Sequence, residues 1–146
     1  MDAGAGRRGE AGTTSCGTGG TTACEPTRCS PPAETCNLRD DDCDGECDQG
    51  AGCRVGVHRA YGNGGHFYTL DLTEANSSGY MLEFANFYAL YRTEQPGTRA
   101  FFRCRKASGL RFYTTSSTCE GAGPVESVLG YIAAGEVCGA RALFRI

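Results

Sequence analysis

Apolar residues are unevenly distributed along the chain. All fourteen Phe and Tyr residues lie between Tyr61 and Phe144, where short apolar runs alternate with Gly-rich or polar turns. This alternation is typical of consecutive β-strands. Residues 80–90 also fit a helix, but Asn86 and the aromatic residues do not share one helical stripe, so a strand is favoured. We predict strands over residues 57–61, 66–70, 80–84, 86–91, 99–104, 110–115, 128–133 and 141–146.

Two stretches of this region resemble each other. Arg59 and Arg103 are 44 residues apart, and each is followed by a Phe-Tyr-Thr motif, at residues 67–69 and 112–114. A third apolar start, at residues 142–146, ends the sequence. A fixed period of this length indicates duplication. The fold class is therefore predicted to be all-β, a small domain of two pseudo-repeats of short antiparallel strands.

Each Phe-Tyr-Thr motif is followed by a helix-start signal. A capping residue stands three positions before a Glu, which is the spacing of a capping box. We therefore predict one short helical turn after each motif. The two pairs are Asp71 with Glu74 and Ser117 with Glu120.

Residues 1–54 have a different composition. They contain no aromatic residue, and five basic against ten acidic residues, a net charge of −5. Leu38 is the only large aliphatic residue between Cys16 and Cys53, so this segment cannot bury a core that offsets its chain entropy. Residues 55–146 have a net charge of +2. We predict a Gly-rich, disulfide-rich arm over residues 1–54 and an all-β repeat domain over residues 55–146.

The ten cysteines indicate an oxidised, extracellular protein. Seven lie in the arm and three in the domain, so complete pairing within one chain requires a bridge between the two parts. Pairing of Cys43 with Cys36 or Cys53 would clamp the loop between them. Disulfides between chains are the alternative to complete pairing within one chain. The predicted disulfide cysteines are Cys16, Cys24, Cys29, Cys36, Cys43, Cys47, Cys53, Cys104, Cys119 and Cys138.

The loop over residues 36–50 is strongly acidic. It contains a D-x-D-x-D-G pattern. In a calcium loop, carboxylates at this spacing ligate one hard cation and the Gly, here Gly45, permits a sharp turn, so the pattern predicts bound calcium. An EF-hand is rejected because Ala51 stands where a bidentate Glu is required. An acidic turn without an ion and a thiolate site for zinc are the alternatives. The predicted metal ligands are Asp40, Asp42, Asp44, Glu46 through its carbonyl, and Asp48.

The pattern C-N-x-x-D-D-D-C-D-G-x-x-D resembles the metal-binding motif of MopE-type surface proteins, which recurs in secreted proteins of myxobacteria. The likeness covers about residues 34–53 and implies metal ligation by the aspartates and structural roles for Cys36, Cys43 and Cys53. Leu38, Cys47 and Gln49 depart from the usual pattern. We do not carry over the family's association with copper, because soft copper prefers His, Cys or Met.

Residues 57–146 resemble a bacterial HFYT-type repeat domain of uncharacterised function, which often follows MopE-type motifs. The first unit matches well at Arg59, at residues 66–69 and at Glu83. In the second unit Arg111 replaces the His. The resemblance implies no firm activity, although attachment of some relatives to wall-active or surface proteins suggests binding.

Several functions are disfavoured by the sequence. A net charge of −3 argues against a nucleic-acid partner, and no apolar run is long enough for membrane insertion. The N-terminus lacks an apolar signal-peptide region, so a removed leader or another export route is expected. Ser77, His66 and Asp71 have the residue types of a catalytic triad, but no nucleophile motif supports one. We therefore predict no enzyme.

We therefore predict a non-enzymatic, secreted or cell-surface module, structural or adhesive, stabilised by calcium and disulfides. The first alternative is an extracellular filament, a homo-oligomer assembled by donation of the arm or of the last strand. The second is a module that binds a surface glycan through Arg59, Tyr61, His66 and Tyr68. The third is a cell-wall hydrolase.

Overall fold

The computed structural model describes residues 33–50, 52–77 and 79–144, together with the backbone of two short strands in the arm. These are β1 (Ser15–Cys16) and β2 (Cys24–Glu25), which pair antiparallel with Cys16 opposite Cys24. The side chains of these two cysteines, and all of Cys29, lie outside the described residues.

The second part of the chain forms one six-stranded antiparallel sheet, which confirms the all-β prediction. The sheet order is β4-β3-β5-β8-β6-β7. Its strands are β3 (Arg54–Gly62), β4 (Gly65–Thr69), β5 (Tyr80–Tyr91), β6 (Thr98–Arg105), β7 (Arg111–Thr114) and β8 (Val125–Ala133).

The sheet consists of two three-stranded halves, each with its first strand in the middle. In the first half Arg59 of β3 lies opposite Tyr68 of β4, and in the second Arg103 of β6 lies opposite Tyr113 of β7. β5 and β8 join the halves through the pair Tyr91 and Tyr131. This matching register agrees with the spacing of the two sequence motifs, while duplication itself stays a prediction.

The turn between β3 and β4 follows from its sequence. Asn63 and Gly64 both have positive φ, 48° and 81°. A two-residue hairpin turn of this kind requires positive φ at both positions, which Asn-Gly adopts at least cost. The Gly-rich stretch at residues 62–65 is therefore a tight hairpin.

Two predicted strands, 80–84 and 86–91, are a single strand with irregularities. The register between β3 and β5 shifts between Val57 and Arg59, and again between Arg59 and Ala60. Asn86 has a φ of 50°, and its backbone N–H donates to Nδ1 of His58 at 3.2 Å. The irregular backbone at Asn86 explains the apparent break, and the preference for strand over helix is confirmed.

The predicted strand at 141–146 is wrong over the residues that the structure describes. Residues 141–144 belong to no strand, and Leu143 and Phe144 are exposed. The first strand of the domain, β3, is paired on both sides by β4 and β5. It therefore offers no free edge for the last segment.

The helical turns agree with the sequence in part. Helix α1 (Leu72–Ala75) begins after Asp71, whose side chain accepts from the Thr73 N–H. The second turn is a 3-10 helix at Cys119–Gly121 without a side-chain cap, so the predicted start at Ser117 is wrong. Glu120 instead accepts a hydrogen bond from the Thr114 hydroxyl at 2.6 Å.

The core lies inside a sheet that curls back on itself. Val57, Leu90, Phe101 and Leu129 form its buried centre. The Tyr113 hydroxyl accepts from the Tyr68 N–H at 2.7 Å and donates to the Tyr68 carbonyl at 2.9 Å. These bonds join the two edge strands, β4 and β7, and so cover edges that would otherwise pair with another chain. A second cluster, Ala60, Phe67 and Ala75, lies where α1 packs.

Three disulfides join described residues. They are Cys36–Cys53, Cys47–Cys138 and Cys104–Cys119, and Cys43 is also disulfide-bonded. Pairing of Cys43 with Cys36 or Cys53 is therefore wrong, because those two pair with each other. Cys47–Cys138 is the predicted kind of bridge between arm and domain. Among the residues described, no helix has the length and hydropathy of a membrane span.

Candidate functional site

The acidic loop over residues 36–50 is irregular, and carboxylates organise its backbone. Leu38, Cys43 and Asp48 have positive φ between 54° and 64°, which is uncommon for residues with a side chain. Asp40 accepts from the N–H groups of Asp44 and Gly45, at 3.1 Å and 2.8 Å. Side-chain acceptors thus replace the strand or helix partners that this segment lacks.

Three carboxylates of the loop region lie close enough to share one cation. Glu34, Asp40 and Asp42 each offer an oxygen, and these oxygens lie within 4.8 Å of one another. Glu34 and Asp40 are buried, at 6% and 4% exposure. Oxygens that ligate calcium at about 2.3–2.6 Å stand at such separations, so this hard donor set fits calcium.

The other predicted ligands occupy different positions. Asp48 is fully buried and accepts from the Asn37 N–H, the Leu38 N–H and the Tyr91 hydroxyl. Asp44 and Glu46 are exposed, and the Asp44 carboxylate accepts from the Glu46 N–H at 2.9 Å. The structure therefore brings the side chains of Asp40 and Asp42 together, in a group that does not include those of Asp44 and Asp48. Ligation by the Glu46 carbonyl stays a prediction.

Glu34 was not among the predicted ligands. It lies two residues before Cys36, outside the D-x-D-x-D-G pattern. Its Oε1 accepts from the N–H groups of Asp41 and Asp42, and its Oε2 from that of Asp48. Only the folded path of the loop places it beside Asp40 and Asp42.

One carboxylate at the edge of this loop is held ionised by its surroundings. Partial burial alone would raise the pKa of Asp41, but hydrogen bonds from Thr35 and Asn37 outweigh it and lower the pKa below its usual value. Asp41 is thus a structural anion that ties the start of the loop together, separate from the three-carboxylate group.

A second candidate site lies on the first half of the sheet. We call it the aromatic face. Aromatic rings there contact one another in a continuous series from Tyr61 through His66, Tyr68 and Phe87 to Phe84, with centroid separations between 5.1 Å and 6.5 Å. The face consists of Arg59, Tyr61, His66, Tyr68, Met81, Glu83, Phe84 and Phe87.

A polar group lies in the middle of the aromatic face. Arg59 donates from Nε to Glu83 at 2.9 Å, and its Nη2 lies 2.7 Å from Nε2 of His66. His66 Nε2 is also 3.4 Å from Glu83. The Arg59 guanidinium lies over the Phe87 ring at 5.0 Å, a cation–π contact. Charged groups and rings are therefore held against each other at the surface.

A register irregularity positions this group. Arg59 lies opposite Phe84, but Ala60 lies opposite Leu82, so Glu83 is an extra residue on β5. A bulge re-aims a side chain that would otherwise alternate to the other face. In the second half Arg103 lies opposite Ser127 and Cys104 opposite Val125, which makes Glu126 the extra residue. Glu126 likewise contacts its arginine, Arg103, at 3.1 Å.

The two halves differ in exposure around these bulges. On the aromatic face the exposed fractions are 50% for Tyr61, 72% for Met81, 54% for Phe84 and 44% for Phe87. In the second half Arg111 replaces His66 and lies 4.7 Å from the centroid of the buried Phe67 ring. The first half thus presents aromatic rings to solvent. In the second half Arg111 packs on a buried ring, and the exposed apolar residues beside the bulge are Val125 and Val128.

All four residues predicted to bind a ligand belong to the aromatic face. Arg59, Tyr61, His66 and Tyr68 lie on β3 and β4, where the register places Arg59 opposite Tyr68 and Tyr61 opposite His66. Sequence reasoning missed Phe84 and Glu83 as their neighbours, because the bulges in β5 leave no sequence signal.

Comparison of the chain with protein-family models, curated proteins and solved structures finds no match. The architecture and the two sites therefore define the class, a small disulfide-rich β domain that has an acidic loop and an exposed aromatic face.

Proposed function

We propose that this chain is a non-enzymatic, extracellular adhesive module that binds glycans through its aromatic face. The observation that carries the proposal is the continuous series of ring contacts around Arg59, Glu83 and His66, in which the rings of Tyr61, Phe84 and Phe87 are exposed. Large contiguous apolar patches on monomeric proteins typically mark interaction sites. An adhesive role accounts for apolar residues that fold stability alone would bury.

The chemistry of the aromatic face favours a sugar over an apolar protein surface. Rings offer flat apolar area with little conformational entropy to lose, and sugar rings present matching C–H faces. Arg59, Glu83 and His66 supply donors and acceptors for hydroxyl groups in the middle of that area. Binding sites typically combine an apolar lining with a few placed polar groups in this way.

Calcium and disulfides are proposed to keep the module rigid. Calcium held by Glu34, Asp40 and Asp42 would neutralise carboxylates that otherwise repel one another in a buried place. Four described arm cysteines, Cys36, Cys43, Cys47 and Cys53, are disulfide-bonded, which is compatible with an oxidising compartment. The proposed location is therefore outside the cell or on its surface.

A glycan array tests the proposal. The oxidised chain should bind one class of neutral or acidic polysaccharide, and the double variant F84A/F87A should bind about tenfold more weakly, about 1.4 kcal/mol. Val128→Ala is the matched control, because Val128 is an exposed apolar residue of the second half. Absence of binding across the array, or equal affinity of F84A/F87A and wild type, would refute the glycan-binding role.

Calorimetric titration with calcium tests the acidic loop. Asp42→Ala should weaken binding at least tenfold, and Glu34→Gln should do so as well, because both offer an oxygen to the shared group. Asp44→Ala should leave the calcium affinity unchanged if the ligands are Glu34, Asp40 and Asp42. It should weaken the affinity if the ligands are those of the sequence pattern, which includes Asp44. Glu94→Gln, at an exposed carboxylate outside the three-carboxylate group, is the control. Unchanged affinity in both D42A and E34Q would remove the calcium site.

A further inference from the structure

A polar cleft of about 390 Å³ lies beyond the hairpin turn that borders the aromatic face. It is formed where the β3–β4 turn, the segment after α1 and the β6–β7 turn meet. Its volume is in the range of small-molecule sites. The lining residues are Asn63, Ser77, Tyr80, Arg105, Ser108, Gly109 and Arg111.

The described lining of this cleft is rich in hydrogen-bond donors and includes no carboxylate. Arg105 and Arg111 contribute guanidinium groups, and Asn63, Ser77 and Ser108 contribute amide or hydroxyl groups. Guanidinium groups recognise carboxylate, sulfate and phosphate through paired hydrogen bonds. The donor set therefore matches an anion that also carries hydroxyl groups.

Arg111 is fixed in place for such a role. Its Nε donates to Glu126 at 2.7 Å and its Nη1 donates to the Tyr80 hydroxyl at 2.9 Å. The Tyr80 oxygen accepts this bond, so the Tyr80 hydroxyl hydrogen can donate to a ligand. The Nη2 group of Arg111 takes part in neither of these two bonds. Preorganised donors bind a ligand with less loss of side-chain entropy than free ones.

The arginines around the cleft differ in how they are paired. Glu126 contacts both Arg103 and Arg111, and Glu74 contacts Arg103. Arg105 is exposed and forms no ion pair within the described residues. Arg105 is therefore the charge that a bound anion would neutralise.

We propose that this cleft binds an acidic sugar, with its carboxylate or sulfate group between Arg105 and Arg111. The volume exceeds what one inorganic oxyanion fills, and the amide and hydroxyl groups of the lining suit sugar hydroxyls. This cleft is separate from the aromatic face, and its proposed ligand binding does not depend on that face.

Titrations of the oxidised chain with four probes test this site. Trigalacturonate and a sulfated heparin disaccharide carry the two anionic groups, sodium sulfate is the bare ion, and maltotriose is a neutral sugar. Amide resonances of Ser108, Gly109 and Asn63 should shift with one or both acidic sugars. The response identifies carboxylate or sulfate as the preferred group, and affinity should fall several-fold in 0.5 M NaCl because salt screens exposed charges.

Arg105→Gln should weaken binding of the acidic sugar at least tenfold. Arg99→Gln is the matched control on the same strand and should stay within twofold of wild type, since Arg99 is exposed and does not line the cleft. F84A/F87A should also leave this affinity unchanged, which separates the cleft from the aromatic face. Equal binding by R105Q, equal binding of maltotriose, equally tight binding of sulfate alone, or no binding of either acidic sugar would overturn the proposal.

Discussion

At the scale of single residues, many carboxylates of this protein are committed to its own structure. Asp48 accepts from two backbone N–H groups and the Tyr91 hydroxyl, and Glu74 accepts from Thr69 and Arg103. The sequence indicates that Asp71 caps α1, because that contact is local. It does not reveal the partners of Glu74, since Arg103 lies 29 residues away in the chain.

Glu74→Gln should make the free energy of unfolding depend less on pH in the acid range. Partial burial alone would raise the pKa of Glu74, but its bonds to Arg103 and Thr69 lower the pKa below the usual 4.5. A depressed folded-state pKa contributes stability above pH 4.5 that is lost as the pH falls below it. We expect E74Q to cost about 1 kcal/mol at pH 7, since Glu74 is partly exposed.

The test is urea unfolding between pH 3 and pH 7, followed by circular dichroism. E74Q should show a shallower loss of stability toward acid than wild type. Glu94→Gln makes the same change of charge at an exposed position that forms no ion pair in the described chain, and should follow wild type. If the free energy of unfolding of E74Q fell with pH as steeply as that of wild type, the stabilising role assigned to the Glu74 carboxylate would be contradicted.

Tyr91→Phe should weaken the contact between the acidic loop and the sheet. Burial, followed by the hydrogen bond to Asp48, raises the pKa of Tyr91 to about 12. Its neutral form is therefore stabilised in the fold, and this contribution, complete below pH 10, is lost as the pH rises from 10 to 12. Y91F should cost about 1–2 kcal/mol at pH 7, because buried Asp48 loses a donor.

Alkaline unfolding of wild type and Y91F measures this contribution. The decline of stability above pH 10 should be smaller in Y91F, and the remainder belongs to Tyr88 and Tyr113, whose pKa values burial also raises. If Y91F matched wild type both at pH 7 and above pH 10, the Tyr91–Asp48 bond would have no energetic role.

At the scale of elements, strand positions were more predictable than their irregularities. Phe/Tyr-rich runs and the Gly-rich or polar turns between them located most strands. The strand prediction for the last segment was wrong over described residues 141–144. The apolar residues there match a strand pattern, but β3 already has two partners. The bulges that bring Glu83 and Glu126 to their arginines depend on pairing between distant strands, which no local pattern records.

Gly64→Ala should destabilise the β3–β4 hairpin by about 1 kcal/mol, because a side chain disfavours its positive φ. An added Cβ meets no atom within 4 Å, so the cost is backbone strain and not a clash. Gly135→Ala is the control, since Gly135 has equal space and no positive φ. Denaturant midpoints measure both variants, and equal midpoints would contradict the strained turn.

At the scale of the whole molecule, the arm and the sheet are joined by covalent and polar links. Cys47–Cys138 spans 91 residues, and the Arg92 N–H donates to the Cys53 carbonyl at 2.9 Å. The arm and the domain each contain an odd number of cysteines, so complete pairing within the chain required a disulfide between them. The counts did not reveal which two cysteines form it. The acidic loop is thus fixed onto the domain, although its composition provides no core.

Removing Cys47–Cys138 by the double variant C47S/C138S should cost about 4–5 kcal/mol, since the bridge closes a long loop in the unfolded chain. C104S/C119S, which removes a bridge across 15 residues, should cost about 3 kcal/mol. Thermal unfolding followed by circular dichroism compares the two. A larger loss in C104S/C119S would contradict the ordering expected from loop length.

The measurement that most directly tests the adhesive role is nuclear magnetic resonance mapping of a bound oligosaccharide. The oxidised, calcium-loaded chain would be titrated with the strongest ligand from the glycan array. Shifts and ligand contacts are expected at Tyr61, His66, Phe84 and Phe87, together with their loss in F84A/F87A. Contacts confined to other surfaces, with the aromatic face unperturbed, would contradict the adhesive role.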